Sequence, residues 1–266
     1  QRSWNETEQV VLELDQPEIE ILSMSLSTDE ACVAYLTELD GIRQVRLRVI
    51  ETGLESFLQT EKDRVGVVSS IEWGPILTNA HQSLYIVGTD EQGRPDRVLV
   101  SIVDPTSLTA TPTKLIHQSE DPAEIVDVQR TKGCQYVAIQ AMTKTSNEIY
   151  LSGADLSLML VKPRQDNVQY HLDVGEDNDV VILVSEDGGE YRLLETTTDT
   201  MPLESGQEGP EEPSFQQGKY DDDHVVMDMD LFRDYLVLHE RSSSTGFQRI
   251  NVHKRGSTTP SCSTLP

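Results

Sequence analysis

The stretch from Asn167 to Thr197, NVQYHLDVGEDNDVVILVSEDGGEYRLLETT, decides the fold. Val168, Tyr170, Leu172 and Val174 alternate with polar neighbours, the two-residue period of a strand with one buried face. Val180-Val181-Ile182-Leu183-Val184 follows without alternation, which reads as a strand in the interior of a sheet, covered on both faces. Asp187-Gly188-Gly189 then has the composition of a hairpin turn, since glycine and aspartate accept the backbone angles such turns demand, and a third strand runs through Leu193.

The same order recurs on either side. Alternating first strands are read at Leu22-Met24-Leu26, Val67-Ser69-Ile71-Trp73, Val126-Val128 and Val225-Met227-Met229-Leu231. The apolar second strands run from Ala31 to Leu36, Ser83 to Val87, Gln135 to Ile139 and Tyr235 to Leu238. Polar turns at Asp40-Gly41, Glu91-Gln92-Gly93, Lys144-Thr145-Ser146 and Ser243-Ser244-Thr245-Gly246 lead into third strands. Those third strands pass through Leu47, Leu99, Tyr150, Leu193 and Ile250, at intervals of 52, 51, 43 and 57 residues. The second strands, marked by Val33, Leu84, Val137, Val181 and Leu236, share the short fourth-copy interval and the long interval after it.

Helix signals are scarce, so the fold class is all-β. A repeat near 50 residues with three or four antiparallel strands per unit fits a β-propeller, because one blade cannot bury both of its faces without neighbours. About five four-stranded blades are legible, part of what a seven-bladed ring would need. A β-sandwich with accidental spacing is the alternative, and two strand series sharing one irregular rhythm argue against it.

Two segments break the pattern. Met201 to Tyr220 carries Pro202, Gly206, Gly209, Pro210, Pro213 and Gly218 among glutamates, and is expected to be a long loop without strand or helix. Beyond Lys254 alternation ends, so the expected organisation is a partial propeller over residues 1–254 and a disordered tail over 255–266.

Charge sorts the partners. Lys and Arg number 21 against 46 Asp and Glu, a net charge of -25, so phosphate backbones and anionic lipid surfaces are repelled while basic peptides are attracted. Neither nucleic acid nor a membrane is expected as a partner, and the longest apolar runs are far shorter than a spanning helix. Cys32, Cys134 and Cys262 are odd in number with no CxxC pair, which suggests neither a disulfide framework nor a zinc cage and fits a reducing, cytoplasmic setting.

The local motifs carry no chemistry of their own. No serine lies in a Gly-x-Ser-x-Gly elbow, the strained turn that exposes a hydrolase nucleophile. His239-Glu240 lacks the second histidine of a zincin helix, and both are expected at the surface. Asp173-Val174-Gly175-Glu176-Asp177-Asn178 begins like a calcium loop, but Asn178 stands at the sharp-turn glycine position and Val184 at the closing glutamate. Asp221-Asp222-Asp223-His224 could draw a cation or a basic side chain, though adjacent polar residues at a loop end are more often only solvated. Gly188-Gly189 lies in a hairpin turn instead of cradling phosphate before a helix. No catalytic, cofactor or metal residue is therefore assigned, and no cofactor is expected.

Read as text, the repeats resemble the prolyl oligopeptidase family, and its oligopeptidase B branch in particular. The resemblance rests on Leu26-Ser27-Thr28-Asp29-Glu30 with Val33-Ala34-Tyr35 and Leu47 to Gly53, and on Trp73 with Leu84-Tyr85 and Arg94-Pro95-Asp96-Arg97-Val98. Thr143 to Leu151 and, above all, Leu231-Phe232-Arg233-Asp234-Tyr235-Leu236-Val237-Leu238-His239-Glu240-Arg241 continue it in order. It implies a seven-bladed propeller over an α/β-hydrolase domain, limiting a serine-type endopeptidase to short peptides cut after Pro, or after Lys and Arg. Five blades use nearly the whole chain, so about two blades and the catalytic domain have no counterpart here. The chain is expected to be the substrate-gating portion of such an oligopeptidase, inactive alone, with short peptides, basic ones among them, and a hydrolase domain encoded elsewhere as partners. The alternative is a non-enzymatic propeller scaffold for a protein partner.

Overall fold

The structure, a computed structural model, describes residues 10, 12, 18–59, 66–200, 216–217, 223–255 and 263–265. Among the described residues, twenty strands form five four-stranded antiparallel sheets, each meandering from its first strand to its fourth. Blade 1 holds β1 (Glu20–Leu26), β2 (Cys32–Leu39), β3 (Ile42–Val49) and β4 (Glu55–Phe57). Blade 2 holds β5 (Val68–Ile76), β6 (Gln82–Thr89), β7 (Pro95–Val103) and β8 (Lys114–Gln118). Blade 3 holds β9 (Ile125–Arg130), β10 (Val137–Met142), β11 (Asn147–Ser152) and β12 (Leu158–Lys162). Blade 4 holds β13 (Val168–Val174), β14 (Asp179–Glu186), β15 (Arg192–Thr197) and β16 (Gln216–Gln217). Blade 5 holds β17 (His224–Leu231), β18 (Tyr235–Ser242), β19 (Gln248–Lys254) and β20 (Ser263–Leu265).

The apolar second strands lie inside the sheets because they feed two cores at once. All eight residues of β6 are buried: Leu84 and Ile86 pack toward blade 1 with Ala34, Leu36, Leu47 and Trp73, while Tyr85 and Val87 pack toward blade 3 with Val126, Val128 and Ile139. In β14, Val180, Ile182 and Val184 join Ile149, Leu151 and Tyr170, while Val181 and Leu183 meet Leu231, Leu236 and Leu238 of blade 5. Four apolar layers between five sheets thus use both members of the period-two pattern.

Polar side chains stitch the seams where a first strand has no partner strand on one edge. The Asn147 amide donates to the Tyr170 carbonyl at 2.8 Å and accepts from the Tyr170 N–H at 2.7 Å. Likewise the Trp73 N–H donates to Ser25 Oγ at 3.0 Å, and that hydroxyl donates onward to Glu72 at 2.5 Å. In each case the preceding blade satisfies backbone or carboxylate groups of the next first strand, which blunts an otherwise open edge.

The structure departs from the sequence reading in three places. Gln216 and Gln217 fall inside the segment expected to contain no strand, yet they pair with Glu195 and Leu194; residues 201–215 lie outside the described residues. Ser263–Leu265 falls in the expected tail over 255–266 and pairs with Val252, Asn251 and Ile250 as the fourth strand of blade 5. Short fourth strands need little apolar patterning, because backbone pairing to the third strand defines them. The third departure is Glu240, expected at the surface but 2% exposed, where Arg249 Nε, opposite it in the β18–β19 register, approaches its carboxylate to 2.6 Å. A buried carboxylate needs such a partner, and this one lies nine residues away along the chain.

By register, the blade 1 face turned away from blade 2 carries Met24, Leu26, Arg46, Arg48 and Phe57, with the Arg46 guanidinium 4.9 Å from the Phe57 ring centre. The blade 5 face turned away from blade 4 carries Tyr235, Val237, His239 and Ile250.

Candidate functional site

The first strands of successive blades approach one another, β1 with β5, β5 with β9, and β13 with β17, as the innermost strands around a propeller's central channel do. By register their polar members share sheet faces with residues of the second strands, Glu72 opposite Tyr85, Asp173 opposite Val181, and Asp228 and Asp230 opposite His239 and Val237. Those polar residues are mostly acidic: Glu72 on β5, Asp127 on β9, Asp173 on β13, and Asp228 and Asp230 on β17. Gln129 and His171 are exposed beside them, and His171 Nε2 lies 3.0 Å from the Tyr191 hydroxyl.

Asp173 and Asp230 are the best-defined members. Asp173 accepts N–H groups from Lys132 at 2.9 Å and Val174 at 2.8 Å, yet burial dominates and pushes its carboxyl up to about 6. Asp230 sits 3.0 Å from His239 Nε2 and 3.7 Å from Lys132 Nζ. The first strands therefore carry a row of carboxylates, of which Asp230 already pairs with Lys132 and His239.

Of the residues singled out in the sequence, only Asp173 belongs to this acidic set. Asp173 to Asn178 forms the end of β13 and its turn, with Asn178 at φ 63°, the left-handed conformation that asparagine tolerates. Asp223 accepts from the Ser244 hydroxyl at 3.4 Å, and His224 begins β17; Asp221 and Asp222 lie outside the described residues. Cys32 is buried with its thiol pushed up to about 11 chiefly by burial, Cys134 is half-buried, and Cys262 lies outside the described residues. Among the described residues no three His, Cys, Asp or Glu side chains are grouped to hold a metal, and no helix is long and apolar enough to cross a membrane. Apart from Asp173, which opens the calcium-like stretch, these acidic residues went unnamed at the level of sequence, although Asp127 between Val126 and Val128, and Asp228 between Met227 and Met229, are the polar members of the alternation that located those strands.

The family model for the N-terminal β-propeller domain of prolyl oligopeptidase matches residues 3–263. The chain belongs to the prolyl oligopeptidase family. Protease 2 of Moraxella lacunata is 23% identical over 249 residues, which are 89% of this chain and 33% of that protein. The prolyl endopeptidase-like protein of Gallus gallus is 24% identical over 144 residues, 53% of this chain and 18% of that one. Among solved structures, oligopeptidase B from Trypanosoma brucei with covalently bound antipain superposes with a TM-score of 0.68 at 18% identity, covering 97% of this chain and 35% of that one. Oligopeptidase B from Leishmania major gives 0.65 at 17% identity, covering 91% and 32%. At such identities the superpositions establish the propeller fold, and the chain spans about a third of the length of Protease 2 and of these oligopeptidases.

Proposed function

We propose that this chain is the substrate-gating propeller portion of a cytoplasmic serine oligopeptidase that acts on short peptides, with an α/β-hydrolase domain supplied by sequence outside it. The family match over nearly the whole chain carries the reading. The ring is incomplete on this account: five blades of a seven-bladed propeller, with the outer faces of blades 1 and 5 awaiting neighbours.

The chemistry of the lining supports a peptide ligand. Glu72, Asp127, Asp173, Asp228 and Asp230 concentrate negative charge along the first strands, which raises the local concentration of basic peptides and disfavours nucleic acid. A gate of this kind selects by size and charge and makes no covalent bond, so the chemistry belongs to the hydrolase domain. The family match favours this reading over a free-standing scaffold.

Assaying the purified chain on chromogenic peptides containing Arg or Pro tests the reading. No turnover is expected. Turnover that survives purification and is blocked by a serine-reactive inhibitor would overturn it, because it would place a complete active site within these residues.

A further inference from the structure

The turn between β9 and β10, residues 131–136, is bound to its neighbour blade through the backbone. Lys132 N–H donates to Asp173, Gly133 N–H donates to the Val174 carbonyl at 2.8 Å, and the Gln135 amide donates to the Glu176 carbonyl at 2.7 Å. A Cβ on Gly133 would lie 2.5 Å from the Gly175 carbonyl carbon, so the two turns touch backbone to backbone. From this fixed base two cations reach past the adjacent blades. Arg130 Nη1 donates to the Leu26 carbonyl at 2.8 Å and to Thr28 Oγ1 at 3.3 Å, both in blade 1. Lys132 Nζ, two residues on, reaches Asp230 of blade 5.

Neither contact is between neighbouring blades. A blade 3 side chain that meets blade 1 passes inside blade 2, and one that meets blade 5 passes inside blade 4, so each contact is a chord across the rim of the ring. Both chords lie at the end where first strands turn into second strands. Leu26, Arg130 and Leu231 are the last residues of β1, β9 and β17, with Thr28 and Lys132 just beyond, and Asp230 is the penultimate residue of β17.

We propose that Arg130 and Lys132 form a two-armed, charge-held strap that draws blades 1 and 5 toward blade 3 and narrows this mouth of the channel. The two arms differ chemically. Arg130 grips a neutral carbonyl and hydroxyl, whereas Lys132 grips a carboxylate that also meets His239. Salt therefore loosens the Lys132 arm more than the Arg130 arm, because screening acts on a pair of full charges. The inference stands on these contacts alone and does not depend on the peptidase reading.

Amide hydrogen exchange of the full chain tests it with Arg130→Gln and Lys132→Gln made singly. The reporters are the Thr28 and Glu30 amides in the blade 1 turn and the Phe232 amide in the blade 5 turn, bonded to Gln82, the Ser27 carbonyl and the Tyr235 carbonyl respectively. The Leu77 amide of the blade 2 turn, bonded to the His81 carbonyl, is the internal control, since neither arm bonds to it. R130Q is expected to speed exchange in the blade 1 turn alone, K132Q in the blade 5 turn alone, each roughly two- to fivefold given the modest strength of exposed charged contacts. Raising salt in the unsubstituted chain should reproduce the K132Q pattern. Exchange that rises uniformly at all three turns, or at none, overturns the strap.

Discussion

Asp173 shows how one residue's surroundings set its chemistry. Burial opposes its charge more strongly than the N–H groups of Lys132 and Val174 favour it, so its carboxyl titrates near 6 in the folded chain against 3.8 for the free side chain. A raised folded-state value means the folded protein holds the proton more tightly. The protonated form contributes stability that is lost as pH rises from about 4 through 6, and above that the charge is a standing cost of up to about 3 kcal/mol. Asp173→Asn keeps an oxygen for the two N–H groups and removes the charge. Urea unfolding should find D173N more stable than the parent at pH 7.5, with the advantage shrinking toward pH 4.5; an advantage that does not change with pH would contradict the assignment. Little of this was legible from the sequence, where Asp173 reads only as the opening residue of a calcium-like stretch that Asn178 and Val184 break. The burial of Glu240 was hidden as well, since its partner Arg249 is brought opposite it only by the β18–β19 register.

At the scale of elements, strands and turns were readable because their pattern is local. The apolar run Val180 to Val184 falls within β14, and Asp187-Gly188-Gly189 follows it as the turn. What joins one blade to the next was not readable, because it depends on side chains brought together from different repeats. The Asn147 clasp on Tyr170 is the clearest case, and Asn147→Ala should leave a buried N–H and a buried carbonyl without partners. Each such group costs about 1–3 kcal/mol, so thermal unfolding should show a clear loss of stability, whereas an unchanged midpoint would mean water replaces the clasp. The layers themselves tolerate less. Trp73 is fully buried between blades 1 and 2, and Trp73→Ala should destabilise the chain by about 3–5 kcal/mol in denaturant unfolding; a loss below about 1 kcal/mol would mean that layer is not packed as described.

For the whole molecule, the period near 50 residues was enough to infer stacked blades, while the number needed to close the ring was not in the repeat. A seven-bladed ring would set further blades against the outer faces of blades 1 and 5, where Met24 is 62% exposed on one and Ile250 42% exposed on the other, while Val33 and Tyr35 on the blade 1 face are buried. The net charge of -25 slows association of such faces, but screening beyond roughly 8 Å at physiological salt removes much of that protection. Light scattering should therefore show larger species as salt rises; a salt-independent monomer with one sharp unfolding transition would favour a closed five-bladed ring. The central claim, that these blades gate a hydrolase they do not contain, is tested most directly by determining the coding sequence that follows the codon for Pro266. An open frame is expected there that adds blade repeats and then a Gly-x-Ser-x-Gly elbow followed by an aspartate and a histidine. A stop codon at that point, with no hydrolase domain encoded nearby, would contradict it.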